Sequence, residues 1–208
     1  MLKLKYVSLC CLIFICCCVE FALSLNELGL FGPDRTRQLV YHYGAFWPGL
    51  LQDWKPNYAL QPYLMFATYA VLHSGMVHLT VNMITLWSLG CAVIKQVGHG
   101  YFLLLYFATS LSGAAGFALL APTLRPMVGA SGSLFGLLGA LVAWRYLDRE
   151  TNRDGLKEVA PVVLLLVALN LLMWWSMDGQ LAWETHLGGF IGGWIVALLI
   201  GNKRKVEL

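Results

Sequence analysis

Three short stretches of this sequence carry side chains suited to nucleophilic chemistry, and each heads an apolar run. Ser131 stands in Gly129-Ala130-Ser131-Gly132, His186 in His186-Leu187-Gly188-Gly189, and His78 and Asn82 in His78-Leu79-Thr80-Val81-Asn82. A serine hydroxyl needs a base to attack at neutral pH, and a neutral imidazole is a suitable one. His78 and Asn82 are spaced i, i+4, so they share a helix face, and both can donate to a developing oxyanion. Bland readings stand beside these. Serine is a preferred helix N-cap, and a His/Asn pair can be a polar contact between membrane helices.

The composition says what must position these groups. Of the 208 residues, 59% are hydrophobic and 12% charged, against roughly 25% charged in soluble domains. Apolar runs of about 20 residues recur, the length that crosses a bilayer as a helix. The chain is therefore expected to be all-α and polytopic, with six spans in a single membrane-embedded domain over 1–208. The small net charge of +3 excludes an electrostatic nucleic-acid surface. No metal-ligand spacing occurs, and no cofactor is expected. Five of the six cysteines fall in the first run and read as small hydrophobes.

The first span is expected over about 6–25, after Lys3 and Lys5; a cleaved signal peptide is the other reading of this segment. A loop over about 26–63 carries Asp34, Arg35, Arg37, Asp53 and Lys55, but also Phe46, Trp47, Leu50, Leu51 and Trp54. Such a loop is expected to lie in the membrane interface, or else to form a small external subdomain. Spans two to six are expected over about 77–200: Val77–Val97, Tyr101–Leu120, Ser131–Tyr146, Val159–Met177 and Thr185–Ile200. A basic tail, 201–208, includes Lys203-Arg204-Lys205.

Topology follows from charge. Six spans put the N-terminus, the end of span two, the charged Arg145–Lys157 segment and the C-terminus on one side, which is then cytoplasmic. Even-numbered spans run from outside to inside. His78, Ser131 and His186, each heading an even span, therefore lie near one membrane depth. Span four, at about 16 residues, reaches only about 24 Å, less than the roughly 30 Å hydrocarbon layer. Ser131 is thus expected below the outer surface, in a recess open to water. Gly132, Gly136 and Gly139 or Ala140 give span four a smooth face, and Gly188, Gly189, Gly192 and Gly193 give span six another. Small residues let helices approach closely, which would bring Ser131 to His186. Glu184, two residues before the base, is expected in a loop, so the pair reads as a dyad.

Together these stretches resemble the rhomboid family of intramembrane serine proteases, in its bacterial six-span form. The match is Gly129-Ala130-Ser131-Gly132 to the GxSG motif, His78 to Asn82 to the HxxxN motif, and His186-Leu187-Gly188-Gly189 to the last-helix histidine motif. It extends from about Pro62 to the C-terminus. The resemblance implies that Ser131 is the nucleophile, His186 its base, and His78, Asn82 and the Ser131 backbone N–H an oxyanion hole. It also sets Phe135 where relatives often pack an aromatic on the base. It implies single-span membrane proteins as substrates, the inner membrane of a bacterium as the location, and cytoplasmic termini. Many relatives carry Trp-Arg shortly before the span-two motif, where this chain has Leu64 and Met65, which bears on the first loop. A catalytically inactive relative that binds membrane proteins is the alternative. A small transporter would call for charges within the spans, and these are largely lacking. Natural substrate and oligomeric state are not specified by the sequence.

Overall fold

In the computed structural model the described residues are 6–33, 35–121, 124–148, 152–176 and 178–201. Lys3, Lys5, Asp34, Met177 and the tail beyond Gly201 lie outside them. The described residues form eight α-helices and no strand: α1 Val7–Glu27, α2 Thr36–Gly44, α3 Gln61–Thr68, α4 Met76–Val97, α5 His99–Leu120, α6 Ser131–Leu147, α7 Asn152–Ser176 and α8 Trp183–Ile200. By length and hydropathy α1, α4, α5, residues Arg153–Met173 of α7, and α8 can each cross a membrane. The helix α6 has 17 residues, about 25 Å, and is shorter than the hydrocarbon layer.

Glycine explains why α6 can sit in the middle. A Cβ on Gly189 or Gly193 of α8 would collide with the carbonyl oxygens of Gly132 and Gly136 on α6. Gly188 faces the other way, its Cβ position 2.9 Å from Gly116 of α5, and Gly192 meets Ser112. The glycines expected to make one smooth face on α8 thus divide into two adjacent stripes, one for each neighbour. Around this contact lies the main apolar core, including Leu86, Leu105, Leu137 and Trp144. Trp144 is fully buried, and its indole N–H donates to the Ala197 carbonyl at 3.1 Å. The outer helix α1 packs on α4, with Leu9 against Gly90. On the far side, α7 packs on α6 and leaves Leu164, Leu165, Val167, Leu172 and Trp175 exposed.

Two sequence expectations are corrected. Helix α7 begins at Asn152 rather than Val159, because a helix continues past the hydrocarbon edge and Asp154 in its first turn suits the helix dipole. The span interiors are also less free of charge than composition suggested. Glu20, within α1, is fully buried and bonded by Arg37 of α2 at 2.7 Å. The pair is tolerable there because each charge answers the other.

The first loop folds as α2, a 3-10 turn over Pro48–Leu51, and α3. Phe46, Leu50, Met65 and Tyr69 pack with Ala114 and Phe117 of α5 and with Met127 in a second, smaller core. Met65 is fully buried there and Leu64 is exposed. Anchoring by a cation comes from Arg37 instead, which bonds Glu20 and Glu27 and donates to the His73 carbonyl at 2.9 Å.

Candidate active site

The segment before α6 is held from two sides. Met127 and Phe46 exchange backbone hydrogen bonds of 2.9 and 3.0 Å, and the Gly129 N–H donates to the Tyr69 carbonyl at 2.9 Å. The Tyr69 hydroxyl in turn donates to the Ser110 carbonyl at 2.8 Å, tying the turn to α5. Gly129 has φ of +121°, a conformation that side chains disfavour. Space demands glycine too, since a Cβ would come within 2.8 Å of the His78 ring.

Ser131 is the first residue of α6, and the N-cap position belongs to Ala130. The hydroxyl therefore does not act as a conventional cap. Its Oγ lies 3.0 Å from Nε2 of His186, in the first turn of α8. His186 is 6% exposed. Phe135, one turn beyond Ser131, stacks on the imidazole with ring centroids 4.2 Å apart and an interplanar angle of 8°. Ser133 is fully buried and on the α5 side of α6, its carbonyl beside Thr109.

His78 and Asn82 lie on one face of α4. The Ser74 N–H approaches His78 Nδ1 at 3.3 Å, and the Ser74 hydroxyl is 2.9 Å from the same atom. A backbone N–H can only donate, so in the neutral ring the proton is on Nε2, at the edge that meets Gly129. The Asn82 amide is buried and donates one N–H to the His78 carbonyl at 2.8 Å, which leaves the second. His73 packs edge-on against His78 at 5.2 Å. Burial, with His78 close by, lowers the His73 pKa to about 4, so this loop histidine is neutral at physiological pH.

Three features of the site went unread in the sequence. Asn170 of α7 lies 2.6 Å from His186 Nδ1 through its Oδ1. Glu184 is in the first turn of α8, not in a loop, and serves Arg125 rather than the base: both its oxygens accept from Arg125 at 2.8 Å. That pair links the segment ahead of Ser131 to the start of the helix bearing His186. The third feature is an apolar cavity of about 660 Å³ on the α7 side of His186, lined among others by Phe135, Leu166, Asn170, Trp183 and Phe190. An arginine alone in a short loop and an asparagine alone in an apolar run were the available signals.

A bundle of apolar helices, five of them able to cross a bilayer, defines an integral membrane protein with a hydroxyl and an imidazole in contact at the N-terminal ends of α6 and α8. Residues 61–203 match the Rhomboid domain, and the chain belongs to the rhomboid family. It is 34% identical over 134 residues to the Rhomboid protease GluP of Bacillus subtilis, covering 64% of this chain and 25% of that protein. With YdcA of the same organism it shares 27% identity over 169 residues, 80% of this chain and 82% of the relative. Rhomboid protein 1, mitochondrial, of Saccharomyces cerevisiae is 32% identical over 160 residues, 67% and 43% of the two chains. The chain thus spans a quarter of GluP and most of YdcA. The family contains serine proteases that act on membrane proteins within the bilayer, and also inactive homologues.

Proposed function

We propose that this chain is an intramembrane serine endopeptidase, with Ser131 as nucleophile and His186 as general base. The observation that carries the reading is the 3.0 Å contact between Ser131 Oγ and His186 Nε2, with Phe135 stacked on the ring. In acylation the Ser131 oxygen attacks the peptide carbonyl carbon while its proton passes to His186 Nε2. The carbonyl oxygen becomes an oxyanion. His78 Nε2–H, the second Asn82 N–H and the Ser131 backbone N–H are the donors assigned to it, aided by the positive end of the α6 dipole. Collapse breaks the C–N bond, and the leaving amine takes the proton from His186. Water then repeats the sequence on the acyl-serine and restores the hydroxyl.

The substrates on this reading are single-span membrane proteins, cleaved within or just outside the bilayer. A peptide must be extended to be attacked, so a substrate helix must unwind. Glycine, proline or polar residues in its outer turn lower that cost. The walls beside Ser131 are glycine-rich, and a small side chain before the scissile bond fits them. The short α6 acts as a sixth span, with Ser131 recessed below the outer face and both termini cytoplasmic.

Inactive homologues define the competing reading, a membrane-protein binding factor. The experiment that separates the two is covalent labelling of the detergent-purified chain with a fluorophosphonate. Labelling that is lost in Ser131→Ala supports the protease. An unlabelled wild-type chain that still binds membrane helices supports the alternative.

A further inference from the structure

The geometry points to Asn170 as a positioning residue for His186, one that selects the imidazole tautomer able to take the proton of Ser131. The inference rests on the protease reading only for its kinetic consequence. The contact itself is independent of it.

Asn170 is the lone polar side chain in the apolar stretch of α7 over residues 159–173, most of which faces outward. Polar groups inside membranes are costly unless paired, and mark function by default. Both ends of this amide are engaged. Its Nδ2 donates to the Leu166 carbonyl one turn back at 2.9 Å, and its Oδ1 lies 2.6 Å from His186 Nδ1. The first bond fixes the second: turning the amide over would set its oxygen against the Leu166 carbonyl oxygen, two acceptors facing each other. Oδ1 must therefore face the ring, and Nδ1 must carry the proton. In the neutral imidazole that leaves the lone pair on Nε2, the atom 3.0 Å from Ser131 Oγ.

The remaining contacts of the ring do not make this selection. Phe135 stacks on its face and is indifferent to where the proton sits. The cavity wall on the α7 side is Val163, Leu166, Val167 and Leu171, which offer no hydrogen bond. Asn170 thus turns the Ser–His pair into a three-membered chain across α6, α8 and α7. A neutral amide in the third position has a precedent in the Cys-His-Asn arrangement of papain-like proteases.

Two measurements on the full chain in detergent test this, one independent of activity. In the first, nitrogen-15 NMR of labelled histidine reads the His186 tautomer in a Ser131→Ala background, with and without Asn170→Leu. The Nδ1–H form is expected with Asn170 and a mixture without it. An Nε2–H form, or a tautomer unmoved by Asn170→Leu, overturns the inference whatever the labelling result. In the second, Asn170→Leu is expected to lower kcat on a model single-span substrate by roughly 10- to 1000-fold, with KM within about twofold, since the wrong tautomer costs turnover rather than binding. Asn170→Asp keeps an acceptor and is expected to restore kcat to within about tenfold. Its carboxylate favours the imidazolium, so the acid limb of the kcat profile should move to higher pH. Equal loss in Leu and Asp variants, with no displacement of that limb, would mean a structural role and overturn the proposal. A chain with the expected tautomer that takes no fluorophosphonate would refute the protease reading and leave the Asn170 contact standing.

Discussion

Gly189 of α8 lies so close to the Gly132 carbonyl of α6 that a Cβ on Gly189 would overlap that oxygen. Gly132 follows Ser131, and Gly189 is one turn beyond His186, so this contact sets the distance across which the hydroxyl and imidazole meet. Gly189→Ala is expected to push the helices apart and to destabilise the protein by about 1–3 kcal/mol, the usual cost of overpacking. The rate of fluorophosphonate labelling should fall with it. Gly100→Ala in α5 is the control: nothing lies within 4 Å of its Cβ position, and a helical alanine there should be neutral or stabilising by about 0.5–1 kcal/mol. Denaturant unfolding in detergent measures both, and equal behaviour of the two variants would refute the contact's role.

The first loop is tied down by an ion pair that crosses from α2 into α1. Glu20 is fully buried and Arg37 nearly so, with side chains 0% and 13% exposed. Removing Arg37 leaves a buried carboxylate without its cation, which typically costs about 3–5 kcal/mol. Arg37→Ala is expected to lower the unfolding midpoint strongly, and Glu20→Ala combined with Arg37→Ala to recover much of the loss. A double variant as unstable as Arg37→Ala alone would argue that the Arg37 bond to the His73 carbonyl, not the ion pair, is the stabilising contact.

This pair also marks where sequence reading stopped. Glu20 lies among cysteines and phenylalanines, where hydropathy hides a single carboxylate, and its partner is 17 residues away in the short helix α2 of the first loop. Nothing periodic joins them. The same is true of Arg125, in the loop before α6, with Glu184 of α8, and of Asn170 of α7 with His186 of α8. By contrast, the contact of Ser131 with His186 was legible because each heads an apolar run beside glycines, and an alternating path through six spans would set both at one end. The glycine faces were legible as small-residue stripes. Their split between two neighbours was not, since Gly188 and Gly189 lie about 100° apart on a helix and either can face a given partner.

Asn82 separates charge stabilisation from packing. It is buried, and one amide N–H is already spent on the His78 carbonyl of its own helix, a bond that a helix can lose at little cost. Asn82→Ala is therefore expected to lower kcat by roughly 100- to 1000-fold, the range for losing an oxyanion donor, with a small change in thermal midpoint. Turnover per folded molecule and thermal unfolding, measured on the same sample, decide the matter. A large loss of stability with unaltered turnover would make Asn82 a polar contact between helices.

Ser131 and His186 are expected to behave as one unit. Either alanine substitution should abolish cleavage of a model single-span substrate, and the double variant should be no worse than the more damaged single one, because losses within one catalytic unit do not add. The expectation rests on the direct Oγ–Nε2 contact and on the position of the nearest rival nucleophile. Ser133 is two residues along and so about 200° around the helix. It is fully buried on the α5 side, among residues that supply no imidazole. Its hydroxyl has no base to activate it and no route to a substrate carbonyl without parting α5 from α6. Ser133→Ala should therefore keep cleavage within about threefold of wild type, a modest packing effect. Cleavage or covalent labelling that survives Ser131→Ala but is lost in Ser133→Ala would reverse the assignment of the nucleophile.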